Sequence, residues 1–496
     1  MTNDLTRYDV GIIGGGPAGY TTAFYEVSKG KSVVLFEKDK LGGTCLNRGC
    51  IPTKAFMHVA DLYSEMKSAD KLGLMCENID VDFEKVVEYK NGVVQKLLKS
   101  LELMVKNAKI KVVNAEAKVV ADDKVLADGE EYCCDEIVVA TGSKPRVIKG
   151  LEYDHEFILS SDDILAMTKL PKSIVIVGSG AIGIEWARIL SAFGVEVSVV
   201  ELAERLVPLA DWEVSKRVER IFKMKKIKTY LSTCVEKIVD KKVVLSNDEE
   251  LEPECVLVAV GREAVRPDTE FDVECIGDAC GEIQLAHYAM SQAKDLVLGI
   301  PFDKKLVPSV IYGTPEIAWV GEVSKCKEED ENYQKSVILV SALGKSQCDN
   351  STEGFIKILA KDNKIVGASI VSKEASSLVQ QLVIAIQNEI SVDELKKVCF
   401  AHPTYSEGIF EGLMRLWKKW QKDYLIIWNV RLLILIKQRR LDIYWNQNIW
   451  ILFVRGLDVL IRTSVISITR LHFWLWEMFV QGTVSIAIFL QLDLNR

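Results

Sequence analysis

The sequence predicts an α/β protein made of two copies of one strand, glycine turn, helix and strand unit, followed by a C-terminal α+β portion. Three observations predict it. Short apolar runs end in the glycine turns Gly14-Gly15-Gly16-Pro17-Ala18-Gly19 and Gly178-Ser179-Gly180-Ala181-Ile182-Gly183, each followed by a helix-compatible stretch and a second apolar run. Both second runs end on an acid, and Gly14 to Glu37 and Gly178 to Glu201 each span 23 positions. From Lys305 to Ala401 the pattern changes to short runs suited to an antiparallel sheet, with a helix over Ser376 to Asn388 packed on it.

At 496 residues the chain is too long for one core and predicts three or four domains. Its 49% hydrophobic and 27% charged residues are those of a globular protein, and a net charge of −8 argues against a nucleic-acid partner. Twelve scattered cysteines, with no basic and then apolar leader after Met1, predict a reducing compartment, the cytoplasm. No metal site is expected.

In order, Tyr8 to Ile13 reads as a strand, Tyr20 to Ser28 as a helix and Ser32 to Phe36 as a strand closed by Glu37. With the glycine turn between them this is the dinucleotide fingerprint of a Rossmann-like unit. Gly14, Gly16 and Gly19 admit a pyrophosphate, the helix N-terminus stabilises its charge, and Glu37 takes ribose hydroxyls.

Gly42 to Lys54 then brings Cys45 and Cys50 within five positions. The pitch suits one helical turn with both sulfurs on one face, and a disulfide held in so small a ring is reducible and catalytic. Gly42, Gly43 and Gly49 allow close backbone approach, Pro52 fixes φ, and Lys54 adds a charge that steadies a thiolate. Cys275 and Cys280 share the same spacing. Two ordinary buried thiols are the plain reading of that second pair, so surroundings rather than spacing single out the first.

Phe56 to Lys109 is helical, with Val93, Leu97, Leu98, Leu101 and Val105 as core. Lys111 to Glu131 reads as short strands and Glu136 to Ser143 as a strand running into a glycine turn, with Cys133 and Cys134 beside it inert. The second unit follows: strand Ser173 to Val177, the glycine turn, helix Ile184 to Phe193, and strand Val195 to Val200 ending at Glu201. A carboxylate there accepts bonds from a ribose 2′-hydroxyl and repels a 2′-phosphate, which favours NAD over NADP; Arg205 is the nearby cation to set against it. On its own, Glu185 reads as a solvated helix charge. Val256 to Arg262, carrying Gly261, is the strand that ends this domain. His402, one of five histidines, is followed by Glu407, and the two can form the base and orienter that thiol chemistry needs.

Gly42 to Lys54, in its Cys-Leu-Asn-x-Gly-Cys-Ile-Pro form, closely resembles the redox-disulfide signature of the flavin disulfide reductases, the class I pyridine nucleotide-disulfide oxidoreductases, and most of all their dihydrolipoamide dehydrogenase branch. Ala401 to Glu407 matches the same family's His-Pro-Thr-x-Ser-Glu signature, and the resemblance runs from about Asp9 to Gly412. It implies an FAD-binding domain with the redox disulfide over 1–145 and an NAD-binding domain over 146–264. A shortened central segment over 265–304 returns to FAD, and an interface domain follows over 305–415. It implies FAD on Gly14, Gly16, Gly19, Glu37, Lys38, Gly43, Thr44, Lys54, Thr141, Gly142, Asp278 and Ala286. It implies NAD on Gly178, Gly180, Ile182, Gly183, Glu201 and Gly261. Cys45 and Cys50 become the redox disulfide, Lys54 and Glu185 an ion pair beside the flavin, and His402 with Glu407 a base acting across a homodimer interface. The implied reaction oxidises dihydrolipoyl groups of 2-oxoacid dehydrogenase E2 or of the glycine cleavage H protein with NAD+. The rival readings are an NADPH-linked glutathione-type or mercuric reductase, against which Glu201 has the wrong sign, and a non-catalytic paralogue.

Two features depart from the family pattern. Only fifteen residues separate Gly261 from Gly277, a connection shorter than the family's. From Gly408 to Arg496 the chain has 12 Lys/Arg against 6 Asp/Glu and seven of its ten tryptophans. For the tail, 416–496, the readings in order are an out-of-frame or misannotated end, a membrane-surface attachment, and a small added domain.

Overall fold

The computed structural model describes residues 7–267, 269–323 and 333–416, and the backbone of three strands between 441 and 460. The first unit opens with β1 (Arg7–Ile13), α1 (Pro17–Ser28) and β2 (Val33–Phe36). It continues through α2 (Gly43–Arg48), α3 (Cys50–Lys67), α4 (Phe83–Asn107), β3 (Lys111–Val113), β4 (Ala117–Ala121), β5 (Lys124–Ala127) and β6 (Glu130–Val139). The strands line up as β3-β2-β1-β6-β5-β4; β1, β2, β3 and β6 run parallel, while β5 and β4 form an antiparallel flank. Because the parallel strands are covered on both faces, they read as unbroken apolar runs: Val33 to Phe36 are all buried.

A short antiparallel ribbon begins with β7 (Ser143–Pro145), and the second unit then repeats the first with β8 (Ile158–Leu159), α5 (Ser161–Ala166), β9 (Ser173–Val177), α6 (Ala181–Ala192), β10 (Glu196–Val200), α7 (Trp212–Met224) and β11 (Lys228–Tyr230). The hairpin strands β12 (Val235–Val239), β13 (Lys242–Leu245) and β14 (Glu250–Leu251) lead to β15 (Cys255–Val258), and the parallel sheet runs β11-β10-β9-β15-β8. The repeat extends to single bonds. Gly14 N donates to Phe36 O and Gly178 N to Val200 O, both at 2.8 Å, and Ala140 N to Ile13 O and Ala259 N to Val177 O, again at 2.8 Å. A Cβ on Gly19 would lie 1.8 Å from Gly14 O, and one on Gly183 2.0 Å from Gly178 O, so each turn tolerates only glycine where the helix crosses its strand.

The short connection is paired at both ends. β16 (Arg262–Ala264) pairs antiparallel with β7, and β17 (Glu274–Cys275) adds in parallel to β6, returning the chain to the first sheet. A 3-10 turn, Gly277–Cys280, and α8 (Ala286–Leu298) follow, α8 packing along α1. The last portion is an antiparallel sheet ordered β18 (Ser309–Ile311), β19 (Glu316–Gly321), β22 (Lys364–Ser372), β21 (Phe355–Lys361), β20 (Gln334–Leu339), with α9 (Gly344–Cys348) between β20 and β21. After it come α10 (Ala375–Gln387), α11 (Val392–Leu395) and α12 (Glu407–Arg415), and Leu378, Val379, Leu382, Ile409 and Leu413 seal one core against this sheet. The apolar tail runs Leu432 to Ile436 and Leu471 to Leu490 lie outside the described residues. Within the tail, β23 (Leu441–Asn446), β24 (Ile449–Val454) and β25 (Leu457–Leu460) pair antiparallel, and 417–496 form a unit of their own.

Three expectations are corrected. The helical stretch Phe56 to Lys109 is two helices, broken between Lys67 and Phe83. On α4, Leu101 and Val105 are core, but Leu97 is exposed and Val93 and Leu98 only half-buried, because the helix docks through its two ends, Val86 and Val87 at one and Leu101 and Val105 at the other. Cys45 and Cys50 do not share a helical turn. Cys45 lies in α2 and Cys50 opens α3, and Gly49 breaks the path, a Cβ there standing 2.9 Å from Thr44 O.

Candidate active site

A cavity of about 1580 Å³ runs through the described residues, and its wall carries Gly14, Gly16, Glu37, Lys38, Gly43, Thr44, Cys45, Cys50, Lys54, Thr141, Gly142, Glu185, Asp278 and Ala286. Ile182 of the second fingerprint shares this wall; Gly178, Gly180, Gly183, Glu201 and Gly261 do not line it, nor does Gly19. The second unit thus meets this cavity through the start of α6.

The two acids sit alike. Glu37 accepts from Gly15 N at 2.7 Å and Asp39 N at 2.8 Å, and Glu201 accepts from Ser179 N and Ala203 N, both at 2.8 Å, and from Ser179 Oγ at 2.7 Å. Each carboxylate therefore fixes its own glycine turn. Arg205 is not presented to Glu201: its guanidinium donates to Ala210 O at 2.8 Å and Pro208 O at 2.6 Å and lies 4.9 Å from the Trp212 ring centre.

Cys50 opens into the cavity and its thiol is pulled down to about 7. The hydrogen bond from the Cys45 thiol is the main cause and the Lys54 ammonium the next favourable one, against burial and the Glu185 charge. Cys45, the donor, is pushed up by that bond and by burial. Lys54 Nζ lies 3.0 and 2.9 Å from the two Glu185 oxygens and 4.5 Å above the Tyr312 ring, and Tyr312 N donates to Glu185 Oε1 at 3.0 Å. Glu185 is only 6% exposed, so its reading as a solvated charge is overturned: α6 is enclosed on nearly all sides, and Ile184 to Leu190 are all buried.

Asp278 accepts from Ser143 Oγ at 2.6 Å, and Arg262 binds both Ser143 Oγ, at 2.8 Å, and Ser143 O, at 2.7 Å. Thr141 Oγ1 donates to Val265 O. Sequence reasoning gave no role to Ser143, Arg262, Tyr312 or the buried Arg188, which ties α6 to Tyr312 O and Pro315 O at 3.2 and 2.7 Å. Burial pulls the Arg188 guanidinium down to about 10. Cys134 is buried and pushed up to about 12 by that burial, an inert thiol.

His402 and Glu407 are brought together, Nδ1 2.8 Å from Oε1, with Glu407 Oε2 accepting from Thr404 N at 2.9 Å. The histidine's bond and the Thr404 amide hold the Glu407 carboxyl below its ordinary range. They are not brought to the cysteines: the His402 side chain is 75% exposed and neither residue lines the cavity of its own chain.

The cavity suits a flavin dinucleotide. Gly16 and Gly43 meet so closely that a Cβ on Gly43 would stand 2.7 Å from Gly16 Cα, and α1 begins beside them with no side-chain cap, its free N–H groups available to a pyrophosphate. α6 starts the same way at Gly180.

Two linked dinucleotide folds with a dithiol at their junction define a flavoprotein disulfide oxidoreductase. The sequence matches the pyridine nucleotide-disulphide oxidoreductase family over residues 8–291 and that family's dimerisation domain over 307–412. The chain belongs to this family, whose cofactors are FAD and NAD(H). Its relatives include the dihydrolipoyl dehydrogenase of Bacillus subtilis (strain 168), 33% identical in an alignment 463 positions long that covers 82% of this chain and 98% of the relative. The mitochondrial dihydrolipoyl dehydrogenase of Dictyostelium discoideum is 32% identical, covering 83% and 95%. Among solved structures, LpdA from Mycobacterium tuberculosis shares the fold with a TM-score of 0.76 at 22% identity, covering 83% of this chain and all of that one. Among the described residues no helix is long and apolar enough to cross a membrane.

Proposed function

We infer that this chain catalyses the dihydrolipoyl dehydrogenase reaction, oxidising dihydrolipoyl groups with NAD+ through the Cys45–Cys50 pair. The observation that carries it is the placement of an acidified Cys50, its Lys54–Glu185 pair and the α6 wall of the second fingerprint around one cavity. The first glycine turn, Thr141 and Asp278 would hold FAD, which when bound would supply two-electron transfer between the dithiol and NAD+ at the second turn. The residues of the chain do the sulfur chemistry. The His402 imidazole, oriented by Glu407 and contributed by a second copy, takes the proton of one lipoyl thiol. That thiolate attacks Cys45 of the disulfide, and Cys50, the more acidic sulfur, leaves as the thiolate that Lys54 faces. The second lipoyl sulfur passes its proton to the departing Cys45 sulfur, displaces it and closes the lipoyl disulfide. Glu201, with Arg205 engaged elsewhere, supports NAD rather than NADP.

The partners proposed are lipoyl groups of a 2-oxoacid dehydrogenase E2 or the glycine cleavage H protein, and the site proposed is the cytoplasm, as the scattered cysteines favour. The test is a visible spectrum and an assay on purified protein. Bound flavin, a long-wavelength charge-transfer band on partial reduction and NADH formed from dihydrolipoamide are expected; flavin-bound protein without that turnover would refute the reading.

A further inference from the structure

Cys275 and Cys280, set aside in the sequence as a pair with no favourable surroundings, prove to have them. Cys275 ends β17, held on the first sheet by its pairing with Val139, and Cys280 ends the 3-10 turn that follows. Their sulfurs are 3.5 Å apart, and the Cys280 thiol also points at Cys275 O, 2.8 Å away. Both are half-buried and reachable from solvent. The guanidinium of Arg266, which lines the cavity, lies against the Cys275 sulfur and is held above its ordinary value by it. Burial pushes Cys280 up to about 12 and keeps it a neutral thiol. Three of the four residues between them are anchored by hydrogen bonds. Ile276 N donates to Val139 O at 3.0 Å, Gly277 N to Gln292 Oε1 at 2.8 Å, and Asp278 holds Ser143.

We propose that Cys275 and Cys280 form a second, reversible disulfide, separate from Cys45 and Cys50, made by exchange with low-molecular-weight linear disulfides of the glutathione type, and that closing it clamps the turn carrying Asp278. The Cys275 thiolate attacks one sulfur of the small disulfide, and the first small thiolate leaves and takes up the proton that Cys275 lost. Cys280 then attacks the Cys275 sulfur of the mixed disulfide, passing its proton to the second departing small thiolate. Two protein thiols are oxidised and one small disulfide is reduced to two thiols. The closed ring holds six residues and adds a covalent tie to a turn now held by hydrogen bonds. Its effect on flavin rests on the flavin reading of the cavity; the formation of the bond does not.

The test equilibrates reduced, purified full-length protein with glutathione buffers running to fully oxidised glutathione, alkylates the remaining thiols and maps the 275–280 peptide by mass. An internal disulfide is expected in the wild type, one glutathionyl adduct on Cys275 in Cys280→Ser, and no adduct on Cys280 in Cys275→Ser. Cysteines 275 and 280 both alkylated in fully oxidised glutathione would overturn the proposal. Flavin release in mild denaturant, followed by fluorescence, should slow about tenfold on oxidation of the wild type. It should not slow in Cys280→Ser, which still contains the oxidisable Cys45–Cys50 pair. A mapped ring with unchanged release would overturn the clamp, while protein purified without flavin would refute the reading of the cavity and leave the mapping to decide the pair.

Discussion

Replacing Lys54 by Met tests whether Lys54 sets the ionisation of Cys50. In the reduced protein Cys50 titrates at about 7, drawn down by the Cys45 hydrogen bond and the Lys54 ammonium and opposed by burial and Glu185. The variant keeps the first of these, loses the second, and leaves Glu185 without the cation 2.9 Å away, so the midpoint must rise. A rise of about one unit is expected for loss of one close charge, which takes the thiolate at pH 7 from roughly half to roughly a tenth. Glu185, 6% exposed, would stay buried with only the Tyr312 amide, at a cost of about 1–3 kcal/mol, reduced from the value for a fully buried pair because Lys54 is 31% exposed. The assay is the pH dependence of Cys50 alkylation in dithiol-reduced protein, read by peptide mass, with urea unfolding alongside. Lys54→Met with Glu185→Gln should recover the stability without restoring the full thiolate fraction. A midpoint that stays put in Lys54→Met, or that moves as far in Lys54→Arg, would refute the reasoning.

Cys50→Ser should bind FAD as the wild type does and lose lipoamide-dependent NADH formation by several orders of magnitude; retained turnover in flavin-loaded protein would remove the disulfide from the mechanism. Glu201→Ala should lower the ratio of kcat/KM for NAD+ over NADP+ by about tenfold or more, since ribose bonding is lost and phosphate repulsion lifted, and an unmoved ratio would mean the second acid does not read the ribose. Cys50→Ser and His402→Gln, each inactive alone, should recover activity at one of two sites in mixed dimers, and mixed dimers that stay inactive would place the base within its own subunit. A chain ending after Trp420 should still dimerise, bind FAD and turn over; a folded but monomeric product would assign the tail to the interface.

The duplicated dinucleotide folds were legible because backbone collisions dictate them: no side chain fits at Gly19 or Gly183, so the glycines stand in the sequence wherever the turn exists. The redox centre was half legible. Its residue types were visible, but five residues along a helix turn the second sulfur about 140° from the first, and only the break at Gly49 reconciles the pair, which spacing alone does not report. Read from its own helix alone, without the family resemblance that pairs it with Lys54, Glu185 was misjudged for a related reason. A polar residue on a helix looks exposed until long-range packing supplies a partner, and its partners, Lys54 and Tyr312, are 131 and 127 positions away. The Asp278–Ser143–Arg262 chain is equally remote, with 135 positions between its first two members.

Those separations also say where the chemistry is held. Lys54 comes from the helix that carries Cys50, Glu185 from the second fingerprint's helix, and the Tyr312 ring and amide from the last portion, so three stretches of chain converge on one thiol. Arg188, one turn along α6 from Glu185, anchors the same helix to Tyr312 O and Pro315 O. The last portion therefore does more than carry a dimer contact: it sets the position of the carboxylate that pairs with Lys54. His402 is exposed, joined to Glu407 and absent from the wall of the cavity that holds the cysteines of its chain. On the proposed reading electron transfer stays within one subunit and proton removal falls to a neighbour, so loss of dimerisation should abolish lipoamide oxidation while sparing the ionisation of Cys50.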